Sequence, residues 1–141
     1  VDLSAHKRIG EVEAKREQDA ARLAVLEDSS RSAAVINTAG DETYSAAQLA
    51  GGLVERDPNG ADRTDTTDTA AAIILACGLK VDGASRLIAI LNTADAAELI
   101  TLAGGTGVTI RNPERTIGQG RLAHVLLRRT GEATLSVYIG V

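Results

Sequence analysis

Two kinds of patterning meet near residue 30. Over 4–28 the chain is charged and Ala-rich, with a single Gly and no Pro, and this composition suits a helix. Asp2 or Ser4 is a suitable N-cap, and Asp28-Ser29-Ser30 marks the end. Apolar Ile9, Val12, Leu23 and Leu26 keep a heptad-like spacing, while the linking positions Arg16 and Asp19 are polar. A coiled coil needs a seam without such a gap. The readings that stay open are a short coiled-coil stub, or a single helix lying on a partner or partly frayed. In either form Ile9, Val12, Leu23 and Leu26 are the candidate protein-contact residues.

After residue 33 the pattern changes to short apolar runs separated by Gly, Asn and Asp. Strands are expected over 33–38, 53–56, 86–92, 98–103, 107–110, 120–129 and 133–139. In the last of these Leu135, Val137 and Ile139 alternate onto one face. Ser45 to Gly52 reads as a capped helical turn ending at glycine. Asp57-Pro58-Asn59-Gly60 is a strong turn signal, because Pro presets φ and Asn or Gly accepts the positive φ that often follows. The apolar run after Asp68 predicts a buried helix over 69–77, capped by Thr67 or Asp68 and stopped by Gly78. Strands at this spacing predict a mainly β fold, a β-sandwich or barrel-like domain with one short central helix, rather than alternating βαβ units. The domain spans 33–141 and follows an N-terminal helical arm over 1–30.

Composition changes this picture in one respect. Among 141 residues there is no Phe or Trp, and Tyr44 and Tyr138 are the only aromatic residues. Aromatic side chains bury about 150–250 Å² each, so a core of Ala, Val, Ile and Leu gains less per residue. A fold of this size then benefits from burying more surface between subunits, and oligomerisation is expected. Net charge is −4, with Lys and Arg scattered. Without a basic stripe or stacking aromatics, direct nucleic-acid binding is not expected. No run reaches the roughly 20 apolar residues of a membrane span, so no membrane partner is expected. Charge near the start argues against a signal peptide, and the absence of Met suggests that an initiator preceded Val1. Cys77 is alone in an apolar run and reads as a buried, inert thiol.

No catalytic or cofactor pattern stands out. Asp62, Asp65 and Asp68 fall at three-residue spacing, which does not supply the alternate ligands, central Gly and closing Glu of an EF-hand loop. Capping and turn chemistry explains them better. Gly104-Gly105-Thr106-Gly107 lacks the Lys and following helix of a phosphate loop and reads as a glycine-rich hairpin. His6 and His124 have no metal-ligand neighbours in sequence. Arg128-Arg129 would point to opposite faces of a strand and reads as exposed charge at its end. The expectation is a protein that binds without turnover, with no cofactor and no metal.

A resemblance adds a candidate setting. Its elements are Tyr44-Ser45-Ala46-Ala47-Gln48-Leu49-Ala50-Gly51-Gly52, then Arg56-Asp57-Pro58-Asn59-Gly60, Arg63-Thr64-Asp65 and the Ala-rich helix after Asp68. Asn92-Thr93 to Asp95 and Glu98-Leu99-Ile100-Thr101-Leu102-Ala103-Gly104-Gly105-Thr106-Gly107 complete them. In this order, 33–141 resembles bacteriophage capsid decoration (cement) and head-fibre proteins. The resemblance implies a structural virion protein, commonly a homotrimer. It would bind the major capsid protein on the capsid exterior after synthesis in the bacterial host cytoplasm. The arm 1–30 lies outside the resemblance; its attachment role rests on the composition break and the apolar stripe. A tail, collar or fibre appendage that binds a receptor or carbohydrate is the alternative.

Overall fold

The computed structural model describes residues 10–22 and 31–141. The chain divides into two compact units, Val1–Arg31 and Ser32–Val141. In the first unit residues 10–22 form helix α1. The second contains β1 (Ala34–Ile36), β2 (Thr43–Tyr44), α2 (Ala46–Ala50), β3 (Leu53–Arg56), β4 (Arg63–Thr67) and α3 (Ala70–Cys77). These are followed by β5 (Ser85–Asn92), β6 (Ile100–Ala103), β7 (Val108–Ile110), β8 (Thr116–Ile117), β9 (Leu122–Gly131) and β10 (Thr134–Gly140).

The strands form two sheets, one of six in the order β1-β3-β5-β9-β10-β7 and one of four in the order β2-β4-β6-β8. From β1 to β8, successive strands lie in alternate sheets. Next-but-one strands pair within β1-β3-β5 and β2-β4-β6-β8, parallel except for β6 with β8, while β7 joins the larger sheet at its far edge, parallel to β10. The chain ends in an antiparallel hairpin, with β9 pairing β5 on one side and β10 on the other. The fold is mixed α/β and rich in strand, with two sheets; its parallel pairs depart from the antiparallel order expected of a sandwich or barrel, and a second short helix, α2, accompanies the central helix that the sequence predicts.

Local chemistry accounts for both helices of this unit. Ser45 accepts from the Gln48 N–H while the Gln48 side chain accepts from the Ser45 N–H, a reciprocal capping box at the start of α2. Helix α3 is capped by Thr69, one or two residues after the expected caps, and Gly78 ends it in the left-handed region at φ 66°. One core joins the inner faces of both sheets to α2 and α3. It contains Val54, Ile90, Val125, Leu127, Leu135 and Val137 from the larger sheet, Tyr44, Ile100 and Ile117 from the smaller, and Leu49 and Ile73 from the helices. Each fully buried aliphatic side chain contributes about 1.5–3 kcal/mol.

The glycine-rich run 104–107 is not a hairpin. It carries the chain from β6 in one sheet to β7 in the other, and these strands do not pair. A Cβ on Gly105 would lie 2.4 Å from the Thr67 carbonyl oxygen and 2.6 Å from that of Asp68. Gly107 has φ +79° and passes equally close to the Ala133 carbonyl. Close backbone passage at a crossing between sheets, rather than a tight turn, requires glycine here.

Candidate interaction surface

A buried polar clamp fixes the end of the larger sheet where β1 and β3 lie. Arg56 on β3 and Asp65 on β4 are both fully buried and pair across the two sheets at 2.8 Å. The remaining guanidinium hydrogens go to the carbonyls of Thr38, Gly40 and Asp57. Asp65 also accepts from the Tyr44 hydroxyl at 2.5 Å and from the Glu42 N–H at 2.9 Å. Burial, reinforced by the hydrogen bond and charge of Asp65, pushes the Tyr44 phenol well above its usual range. Arg56 is raised as well: burial works against its charge, but Asp65 overrides it by hydrogen bond and charge. Beside Arg56 in the register, Asn92 on β5 donates to the carbonyls of Glu98 and Ile117 and accepts from the Ala94 N–H. These contacts tie β5 to the smaller sheet.

The larger sheet presents a regular outer face. Strand register sets the rows. Ser85, Arg128, Ser136 and Thr109 form the first, and Leu87, Leu126 and Tyr138 the second. Leu53, Ala89, His124 and Gly140 form the third, and Val35, Glu55, Leu91 and Leu122 the fourth. The inner face of the same strands is core, whereas here Leu87 is 59% exposed, Leu122 44% and Tyr138 37%. Leu53, Ala89, Leu91 and Leu126 are half-buried between them. The apolar middle is flanked by charge, with Arg128 in the first row and Glu55 in the fourth.

A second apolar area lies on α3. Its sequence, Ala-Ala-Ala-Ile-Ile-Leu-Ala-Cys, has no polar face, yet Ala71, Leu75 and Ala76 are exposed, Leu75 at 84%. The expectation of a helix buried all round is corrected: only Ala70, Ile73 and Ile74 are buried. Leu75 borders a hollow of about 320 Å³ lined by Ile74, Gly78, Leu79, Lys80 and Arg129. Cys77 is half-buried rather than enclosed, and burial raises its thiol pKa against the opposing Arg86 guanidinium.

Of the four contact residues expected from the sequence, Val12 lies on α1 and is exposed at 52%. Ile9, Leu23 and Leu26 lie outside the described residues, as do His6 and the expected caps of the arm. Asp62 and Asp68 do accept backbone N–H groups, from Leu99 and from Ala46 and Thr69. Asp65 is no turn residue but the buried half of the clamp. His124 is exposed on the outer face between Leu122 and Leu126. Arg128 and Arg129 point to opposite sides, but Arg129 is tied to Asp82 at 3.2 Å and to the Leu79 carbonyl, so only Arg128 is free surface charge. Among the described residues no group of three or more His, Cys, Asp or Glu could hold a metal ion, and no helix is long and apolar enough to cross a membrane.

Sequence reading missed the outer face, although a signal was present. Leu87-Ile88-Ala89-Ile90-Leu91 is a continuous apolar run, the pattern of a strand covered on both faces. Compared with models of protein families, with curated proteins and with solved structures, the chain matches none.

Proposed function

We propose that this chain is a structural assembly protein that works by binding other protein subunits, decorating or reinforcing the outside of a bacteriophage capsid with the major capsid protein as its partner. The observation that supports binding is the apolar outer face around Leu87, Leu126 and Tyr138. Soluble monomers rarely leave a contiguous apolar patch of this kind in water, and such patches mark interaction sites. The two sheets then act as a β-sandwich whose larger sheet has an inner face turned to its own core and an outer face turned to a neighbour. The capsid setting rests on the family resemblance of 33–141, which also implies a trimer.

The physics suits this role. A capsid offers many identical sites in fixed geometry, so an oligomer engages several at once and weak contacts add through effective concentration. The arm 1–30 serves as the attachment element in this reading, and function requires no turnover, cofactor or metal.

Labelling tests the setting. Antibodies raised against the purified chain, visualised with gold on phage particles from the producing host, should mark the capsid exterior. Gold confined to tails or collars would favour the appendage reading, and unlabelled particles would overturn a virion role.

A further inference from the structure

We propose that the outer face of the six-stranded sheet is covered by a second copy of this chain, related by a two-fold axis lying in the plane of the interface. This rests on the assembly part of the reading above, but it covers this face with a second copy rather than capsid protein and pairs the chains in place of the trimer that the resemblance implies.

The charges on the face are arranged for self-pairing. Arg128 stands in the first row on β9, and Arg111 lies beside it with its Nε donating to Ser136 Oγ at 3.1 Å. Glu55 stands in the fourth row on β3, diagonally across β5 from Arg128. Among the described residues neither Arg128 nor Glu55 is in an ion pair. A two-fold axis crossing β5 between Leu87 and Ala89, perpendicular to this diagonal, brings Arg128 of each copy against Glu55 of the other. The same rotation stacks the apolar middle, Leu53, Leu87, Leu91 and Leu126, on its own counterpart. One patch is then complementary to itself, as a two-fold contact requires; a closed ring would need a second, different surface to match it.

The area fits a reversible pair. Six residues of β9 separate the first and fourth rows, about 20 Å at ~3.4 Å per residue, and β3, β5, β9 and β10 add a similar width at ~4.8 Å per strand. The flat footprint is about 400 Å², about half of the roughly 800 Å² per partner of a stable complex. Association should therefore vary with concentration.

Sedimentation equilibrium of the full chain over a wide concentration range tests this, using wild type, Arg128→Glu, Glu55→Arg and the double variant. Wild type should rise from 14.6 kDa toward twice that mass. Each single reversal sets like charges together and should move the transition to at least tenfold higher concentration, and the double variant should return it to the wild-type range. Circular dichroism checks that all four are folded. Unchanged single variants, no rescue in the double variant, or a mass rising to three chains would overturn the two-fold pair. A chain that stays single at every concentration would also overturn it, while gold on capsids would leave the assembly reading standing. A rescued pair with unlabelled particles would do the reverse.

Discussion

The inner and outer faces of the six-stranded sheet are built from the same kinds of residue and meet opposite fates. On β5, Ile88 and Ile90 point inward and are buried, while Leu87, next to Ile88 along the strand, faces the other way and is 59% exposed. On β9, Val125 and Leu127 are core, and Leu126 between them faces out. Aliphatic side chains on both faces of a central strand are the pattern of a sheet covered twice. Among the described residues of the second unit, the inner cover is supplied by the smaller sheet and two short helices. The difference teaches that the fold's own core meets the aliphatic side chains of one face and leaves those of the other exposed or half-buried.

Breaking the inner side should have the largest effect. Arg56→Ala leaves Asp65 buried without its counter-charge, and Asp65→Ala does the same to Arg56; either should cost about 3–5 kcal/mol in urea unfolding. Ile88→Ala should cost about 2–5 kcal/mol through the cavity it leaves. Its neighbour Leu87→Ala, measured at concentrations where the protein is a single chain, should stay within about 0.5 kcal/mol. That adjacent pair is the sharpest contrast between the faces. Equal losses at both positions would mean that the outer face is already covered within the chain.

Alkaline titration sharpens the role of the clamp. The Tyr44 phenol is raised in the folded chain, so it stays protonated while an unfolded tyrosine loses its proton near pH 10. Its contribution is complete below that pH, and stability should fall above it by up to about 1.4 kcal/mol per pH unit. Tyr44→Phe should remove that part of the slope, as read from urea midpoints across pH 9–11. The smallest effect concerns α3: Thr69→Ala removes its N-cap bond to the Ala72 N–H and should cost about 1 kcal/mol.

Much of the fold was legible where alternation is carried by aliphatic residues. The runs at 53–56, 86–92, 120–129 and 133–139 are strands close to their expected limits. β4 was not legible, because its inward positions are Asp65 and Thr67. Their burial depends on partners distant in sequence, so a hydrophobic pattern cannot reveal it. β2 and β8 are two residues each and too short to show a period. Strand partners were hidden for a related reason. Alternation between sheets is a long-range choice, and the glycines at 104–107 give the same local signal for a hairpin as for a crossing. For the site, the heptad-like spacing points to the arm, while the continuous run 87–91 reads as an ordinary strand although its alternate residues form the outer face.

The most direct test of that face is the solution mass of the full chain by light scattering, with Leu126→Arg alongside wild type. The account predicts a wild-type mass above the 14.6 kDa of one chain and a Leu126→Arg protein, folded by circular dichroism, that returns to it. Identical masses for the two proteins would contradict the claim that this face is where the chain meets a partner of its own kind.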